Sequence, residues 1–345
     1  MKRIFKCLIF AVLSFFISCN PQQHSPKKTE RAFYFWKSNF KLSGFEEKIF
    51  DSLKVSTLYM KFFDVDWNEV SKQPNPIAQL IINDTAFLQK INIVPVVFIT
   101  NECIFKIDSS QSILLAKNIS SLVQKMASLN KLKNISEIQI DCDWTASTKE
   151  KYFAILKAIK KLNNQWKLSA TIRMHQVKFV ERSGVPPVDK GLLMCYNMGN
   201  LKNPATKNSI IEISELKKYI GNLHKYRLPL DIALPLFDWY VLFRNGIYKG
   251  LVHNINDSIL KNDVVEKNDN RFSFLKDTVL SGYQFKKNDV LRYENSDYSS
   301  IIGAAKEIND KLTETEPRLS LYHLDSITLS KYTVNEIENI YNSIH

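Results

Sequence analysis

Acidic and aromatic side chains follow several short apolar runs of this sequence. Asp141, Asp143 and Trp144 end one such run, and Asp238 and Trp239 end another. Carboxyl groups can hold or transfer protons, and pairs of them flank the bond that is broken in sugar hydrolysis. Aromatic faces pack well against apolar ring faces, including the C–H faces of sugars. The combination therefore predicts a carbohydrate site, with either a catalytic or a purely binding role.

Further candidates stand after other apolar runs. The catalytic candidates are Asp141, Asp143 and Asp238, with Asp64 and Glu102 in reserve. The candidates for substrate binding are Trp36, Trp144, Arg173, His175, Tyr196, Asn197, Trp239, Tyr322 and Asp325. Arg173 and His175 suit an anionic group on the ligand, or a buried salt bridge to Asp141 or Asp143. Structural roles stay open for the others too, because such carboxylates cap helices and tryptophans fill cores.

These residues need a frame that brings the ends of distant runs together. Eight runs have strand character: Ala32–Asn39, Val55–Phe63, Ile91–Ile99, Glu137–Asp143, Leu168–His175, Gly191–Asn197, Leu230–Phe237 and Leu319–Leu324. Helical periodicity between most of them indicates parallel β/α units. Eight units predict an α/β fold, a (β/α)8 TIM barrel, whose chemistry lies at the C-terminal ends of its strands. A doubly wound sheet is the alternative, but its usual glycine-rich first turn is missing.

The spacing between the seventh and eighth runs is too long for one helix and its loops. Short strand-like runs within it predict a small subdomain, inserted at about residues 241–298. The barrel itself is expected to cover residues 31–345.

Four segments resemble the family 18 glycoside hydrolases, the chitinase-like barrels. Residues 137–145, Glu-Ile-Gln-Ile-Asp-Cys-Asp-Trp-Thr, resemble the fourth-strand signature that ends in Asp-x-Asp-x-Glu. Residues 194–197 resemble the sixth-strand Met-x-Tyr-Asp, and 234–237 and 322–325 resemble segments of the last two strands. The family also carries an insertion between strands seven and eight. The Asp-Cys-Asp-Trp-Thr segment is similar, in addition, to a group of bacterial lipoproteins.

The sequence departs from that family at the residue that protonates the glycosidic oxygen. The resemblance places Thr145 where the family has its catalytic Glu. It implies that Asp143 orients the acetamido group of the substrate and that Tyr196 hydrogen-bonds that group. A threonine hydroxyl cannot act as a general acid near neutral pH. Two functions follow: a glycoside hydrolase with a rearranged acid–base pair, or a barrel that binds a glycan without cleaving it. A structural lipoprotein of the envelope is a third.

The N-terminal segment has the pattern of an export signal. Lys2, Arg3 and Lys6 precede an apolar run, and Phe15-Phe16-Ile17-Ser18-Cys19 resembles a bacterial lipobox. Residues 1–18 are predicted to be a lipoprotein signal peptide, with a lipid on Cys19 and a polar tether over 19–30. The protein would then be anchored to a membrane of the bacterial cell envelope. A plain signal peptide or an uncleaved anchor is the alternative.

Composition sets the remaining limits. The 345 residues are 45% hydrophobic and 24% charged, which is typical of a globular chain rather than a disordered or polytopic membrane protein. The formal net charge is +12, but the basic residues are dispersed and no nucleic-acid motif is present, so no nucleic-acid partner is expected. Neither metal-ligand spacing nor a phosphate-binding loop is present, so no cofactor is expected. The predicted state is a monomer that meets an oligosaccharide or polysaccharide.

Overall fold

The computed structural model describes residues 29–253, 255 and 258–345. The predicted signal peptide, the predicted lipidation site Cys19 and the predicted tether up to residue 28 lie outside the described residues. No helix in the described part of the chain combines the length and apolarity that a bilayer span requires.

Eight parallel strands close into a barrel. They are β1 Glu30–Phe35, β2 Thr57–Asn68, β3 Asn92–Ile99, β4 Glu137–Asp141, β5 Lys167–Arg173, β6 Lys190–Met194, β7 Leu230–Pro235 and β8 Arg318–Tyr322. Each strand pairs in parallel with its neighbours, and β1 pairs with both β2 and β8. The predicted (β/α)8 barrel is therefore confirmed, because a doubly wound sheet would leave two open edges.

Helices cover the outside of the barrel. They are α1 Gly44–Ser52, α2 Asn101–Lys106, α3 Ser112–Leu129, α4 Lys149–Leu162, α5 Met174–Lys178, α6 Val180–Ser183, α7 Ile213–Ile220, α8 Tyr298–Asn309, α9 Ser326–Leu329 and α10 Val334–Tyr341. Short 3-10 turns occupy Phe87–Lys90, Ser109–Gln111 and Leu223–Lys225. The longest, α3, buries Leu115, Ile119, Val123 and Met126, a spacing of three and four residues that lines one helical face.

The second barrel strand is longer than the sequence indicates. β2 passes Phe63, where the apolar run ends, continues to Asn68 and returns as the antiparallel strand Gln73–Ile77. An irregularity between Lys61 and Phe63 shifts its register against β3. The extension keeps Asp64 inside the strand rather than in a loop. A further small pair joins Asn39–Phe40 to Ile81–Ile82.

An antiparallel subdomain lies between β7 and β8. Its five strands run in the spatial order Ile247–Val252, Asp238–Arg244, Val290–Asn295, Arg271–Phe274 and Val265–Asn268, beside a hairpin of Thr278–Leu280 and Tyr283–Phe285. It has its own small apolar core, which includes Leu242, Phe272 and Leu291. The first hairpin turns at Asn245 and Gly246, both with positive φ (51° and 73°), as its tight turn requires. The sheet begins at Asp238, directly after the barrel strand.

The N-terminal end of the barrel contains a buried charge network. Arg318 donates to the Glu137 carboxylate and to the Tyr59 hydroxyl, at 2.8 Å each. Its guanidinium also lies 3.0 Å from Glu30 and 4.0 Å from Asp231. Glu137 and Asp231 are almost fully buried. These carboxylates therefore depend on protein partners rather than on water for their solvation.

Candidate functional site

A cavity of about 520 Å³ opens at the C-terminal ends of the barrel strands. It brings together nine of the residues proposed from the sequence: Trp36, Asp141, Asp143, Arg173, Tyr196, Asn197, Asp238, Trp239 and Tyr322. A larger cavity of about 650 Å³, between Lys178 and Arg227, lies elsewhere and contains none of the proposed residues. The barrel mouth is therefore the candidate functional site.

Asp143 is held by Arg173. Its two carboxylate oxygens accept hydrogen bonds from Nε and Nη2 of Arg173, the second at 3.2 Å. Burial opposes the charge of Arg173, but the carboxylates of Asp143 and Asp141 outweigh that effect and raise its pKa. Both side chains line the cavity and stay partly exposed. Of the two salt bridges that the sequence left open, the structure forms the one between Arg173 and Asp143, and this pair holds the Asp143 carboxylate in place at the cavity.

Asp141 differs from Asp143 in its surroundings. Its side chain is 3% exposed and accepts a 2.6 Å hydrogen bond from the Thr171 hydroxyl. Desolvation raises the pKa of Asp141 to about 6, although Arg173 acts in the opposite direction. Burial disfavours the charged form of a carboxyl group. Asp141 is therefore a carboxyl of the cavity that can hold a proton near neutral pH.

Five aromatic rings form a continuous wall along the cavity. Trp36 lies 6.2 Å from Tyr322, Tyr322 lies 5.5 Å from Tyr196, Tyr196 lies 5.8 Å from Phe237, and Phe237 lies 5.2 Å from Trp239, between ring centroids. Burial raises the pKa of both tyrosine hydroxyls, which therefore remain protonated. The aromatic wall can pack against apolar faces of a ligand and also donate hydrogen bonds.

The subdomain contributes one edge of the site. Asp238 and Trp239 belong to its first strand rather than to the end of β7. Asp238 accepts hydrogen bonds from Lys331 and from the Tyr293 hydroxyl, the latter at 2.7 Å. The Trp239 indole N–H donates to Glu294 at 2.7 Å. Asp238 is thus an ion-paired carboxylate at the rim.

The ring of Trp144 is buried, unlike the rings of the aromatic wall. Its side chain is 1% exposed, lies 5.1 Å from the ring of Tyr152 in a stacked arrangement, and donates from Nε1 to the Ser183 carbonyl at 3.0 Å. The chain leaves β4 at Asp141, so strand alternation no longer governs where residue 144 points. The indole packs between the barrel and α4, and the residue borders a smaller cavity beside the first.

Asp325 is also used structurally. Its carboxylate accepts the backbone N–H groups of Ile327 and Thr328 at the start of α9 and pairs with Lys37 at 2.5 Å. It lines neither cavity of the barrel mouth. Asp325 therefore caps a helix, which is the structural role that the sequence left open for carboxylates after a strand.

His175 and Thr145 line a second cavity beside the first. This cavity measures about 440 Å³ and shares Asp143, Arg173 and Tyr196 with its neighbour. Burial lowers the pKa of His175, which favours the neutral ring. Thr145 is exposed, and its hydroxyl lies 2.9 Å from that of Ser147. The position of the family's proton donor therefore holds a solvent-facing hydroxyl.

Several lining residues were not singled out from the sequence. Phe98, Met194, Leu251, His253 and His323 also line the first cavity. Asp64 lines it too, and was only a reserve. Its Oδ2 accepts from Lys61 at 3.0 Å, and the Lys61 ammonium lies 5.3 Å from the centroid of Trp36. Leu251 and His253 come from the subdomain, where no local pattern marks them as residues of the site.

Comparison with solved structures identifies the fold. The spore cortex-lytic enzyme SleL of Bacillus megaterium superposes with a TM-score of 0.56 at 14% identity, over 93% of this chain and 75% of that one. A chitinase from Chromobacterium violaceum gives 0.52 at 11% identity, over 90% and 98%. A chitinase from Bacteroides thetaiotaomicron gives 0.50 at 12% identity, over 92% and 97%. No protein-family model matches the chain, and the search of curated proteins also gives no match.

These structural similarities establish the fold of the chain. The chain has a closed (β/α)8 barrel whose fold is similar to those of these cortex-lytic and chitinase structures, in line with the fold that the fourth-strand resemblance implied. Barrels of one fold host many chemistries, so the function has to be argued from the site.

Proposed function

We propose that this protein binds a glycan in the cavity at the barrel mouth without cleaving it. The observation that carries the proposal is the aromatic wall from Trp36 to Trp239, which stands beside carboxylates that are already ion-paired. Aromatic faces and charged acceptors together suit a ligand with apolar ring faces and many hydroxyl donors. A class V chitinase of Nicotiana tobaccum has been solved with NAG4, so N-acetylglucosamine oligomers are the first ligands to test.

The case against hydrolysis rests on the side chains that would have to donate a proton to the glycosidic oxygen. Thr145 offers a hydroxyl whose pKa is far too high for general acid catalysis. Asp143 accepts two hydrogen bonds from Arg173, and Asp238 is paired with Lys331. Both carboxylates are therefore already engaged as hydrogen-bond acceptors of cationic side chains.

Asp141 favours hydrolysis as a second candidate function. Its pKa of about 6 gives it a proton to donate near neutral pH, and it lines the cavity. In that mechanism Asp141 would protonate the glycosidic oxygen and a second carboxylate, Asp143 or Asp238, would act on the opposite face of the sugar. The near-complete burial of Asp141 weighs against it, because a general acid must reach its substrate.

One experiment separates the two functions. The purified full-length protein is titrated with chitotetraose by calorimetry while the release of reducing ends is measured in the same samples. We expect binding without release. Trp239→Ala should weaken binding at least about tenfold, the effect of losing a central aromatic contact. Trp166→Phe, away from the cavity, is the matched control. Release that disappears in Asp141→Asn would establish the hydrolase instead, and absence of both signals would overturn a chito-oligosaccharide function.

The cellular setting is part of the proposal. The lipobox-like segment before Cys19 and the polar residues after it support attachment to a membrane of the bacterial cell envelope by a lipid on Cys19. Such an anchor would keep the cavity close to the envelope glycans. Mass spectrometry of the N-terminal peptide should show an acylated Cys19, and Cys19→Ala should release the protein from the membrane fraction. A chain that begins at Met1 would contradict the anchor.

A further inference from the structure

The subdomain holds a buried carboxylate that does not line the cavity but contacts a residue that does. Glu294 is 1% exposed and accepts four hydrogen bonds. The donors are the indole N–H of Trp239, the backbone N–H and hydroxyl of Ser209, and Nε of Arg292. Three of these hydrogen bonds reach Oε2 and one reaches Oε1, and the donors come from three separate segments of the chain.

The contact with Trp239 is set by strand register. Trp239 and Glu294 are directly opposite each other on neighbouring antiparallel strands, so their side chains share one face of the sheet. The indole N–H reaches the carboxylate at 2.7 Å. A charge-assisted hydrogen bond at the edge of the ring fixes its rotation while the rest of the indole lines the cavity beside Phe237.

The same carboxylate fixes the β6 loop, residues 195–212, which carries two further cavity residues. Ser209 accepts the backbone N–H of Gly199 through its carbonyl at 3.2 Å. Gly199 lies so close to Ser209 that an added Cβ would meet the Ser209 Cα at 2.8 Å. Asn197, two residues earlier, has a positive φ of 54° and donates to the Ile210 carbonyl at 2.8 Å. The backbone around Asn197 is thus tied to the segment that Glu294 binds.

Arg292 completes the connection. It pairs with Glu294, both side chains being fully buried, and it donates to the carbonyls of Leu201 at 3.0 Å and Asn203 at 2.8 Å. A buried network of this kind specifies one arrangement, because every alternative leaves a buried polar group unpaired.

We propose that Glu294 is the positioning residue of the glycan site: through Trp239 and Ser209 it aligns the subdomain edge of the aromatic wall with the β6 loop. This inference rests on the proposed function for its ligand. Glycan affinity then depends on a residue that the glycan never touches.

The test combines affinity with a signal that needs no ligand. The indole N–H resonances of the full-length protein are recorded by NMR, and Trp239→Phe assigns the resonance of Trp239. Glu294→Gln should move that resonance and weaken chitotetraose binding about tenfold, the effect of losing a charge-assisted hydrogen bond. In the Trp239→Phe background, Glu294→Gln should weaken binding by less than about twofold further, since coupled residues are not additive.

Asp289→Asn is the matched control. Asp289 is an equally buried carboxylate of the subdomain, paired with Arg244, and it does not contact the cavity residues. It should leave affinity and the Trp239 resonance unchanged. Equal losses in Asp289→Asn and Glu294→Gln would overturn the inference by showing a general packing effect.

A second variant, Ser209→Ala, tests the inference if Glu294→Gln does not fold. Ser209→Ala removes one donor and keeps the ion pair, and it should still move the Trp239 resonance and weaken binding about threefold, at the low end for one hydrogen bond. An unchanged resonance in every folded variant would overturn the inference. A parent protein that binds no glycan would overturn the proposed function, while the resonance would still decide whether Glu294 fixes Trp239.

Discussion

The two ends of the barrel each hold an arginine among carboxylates, but the two clusters differ in their access to solvent. At the N-terminal end Arg318 lies among Glu137, Asp231 and Glu30, and the Glu137 side chain is 5% exposed. At the C-terminal end Arg173 pairs with Asp143, which is 35% exposed and borders two cavities. The enclosed arginine–carboxylate cluster therefore stabilises the fold, whereas the open cluster keeps carboxylate oxygens accessible to a ligand.

The largest effect is expected at the enclosed end. Arg318→Met removes the cation that pairs with Glu137 at 2.8 Å, whereas Asp231 keeps its 2.7 Å pair with Lys190. The substitution should lower the free energy of unfolding by about 3–5 kcal/mol, the typical result of leaving a buried charge unpaired. Urea denaturation measures this change. An unfolding midpoint equal to that of the parent would show that the two ends do not differ in the way described.

The next largest effect is the contribution of Asp141 to the pH dependence of the free energy of unfolding. Burial raises its pKa to about 6 in the folded protein, from the ordinary value of 3.8 that it has in the unfolded chain. Because the folded pKa is the higher one, the contribution to stability is complete below the lower value and is lost as the pH rises through 6. The loss is about 3 kcal/mol, from roughly 1.4 kcal/mol per unit of pKa.

Urea denaturation at several pH values, compared between the parent and Asp141→Asn, isolates this contribution. The difference in unfolding free energy between the two proteins should shift in favour of Asp141→Asn as the pH increases from about 4 to about 7. Parallel pH profiles would contradict the assignment. Asp231, whose pKa burial also raises to about 6, is present in both proteins and cancels.

Substitution of Arg173, the arginine at the open end of the barrel, should affect affinity more than stability. Arg173→Met leaves Asp143 partly hydrated, so we expect a loss of only about 1 kcal/mol in unfolding free energy. Chitotetraose affinity should fall about tenfold, because Asp143 loses its orientation at the boundary of both cavities. A stability loss as large as that of Arg318→Met, with unchanged affinity, would make the open pair a structural one.

The smallest effect is expected at the buried tryptophan. Trp144→Phe loses the hydrogen bond to Ser183, which should cost about 1 kcal/mol of stability. Affinity for chitotetraose should stay within about twofold of the parent, since the ring of Trp144 is buried. Calorimetry that shows a tenfold loss would place Trp144 among the stacking residues.

Local pattern predicted the barrel because each strand contains a short apolar run and helical periodicity lies between most of these runs. It also indicated most of the polar residues that line the cavity at the barrel mouth, because parallel strands bring their carboxyl ends to one edge of the barrel. It did not predict the burial of the Trp144 ring, because Trp144 lies beyond the strand end, where alternation no longer applies. It could not find Glu294, because Ser209 and Glu294 are 85 positions apart and their contact depends on how the subdomain packs against the β6 loop.

The hairpin turn at Asn245 and Gly246 offers a place to attach a reporter. The strand Asp238–Arg244 begins at the cavity and carries the chain about 20 Å away from it, at roughly 3.3 Å per residue. A fluorophore on the turn would therefore report the position of the far end of the subdomain and leave the cavity unobstructed. For the lipid-anchored protein proposed above, energy transfer to labelled lipids would measure the height of the turn above the membrane and thus the reach of the proposed tether.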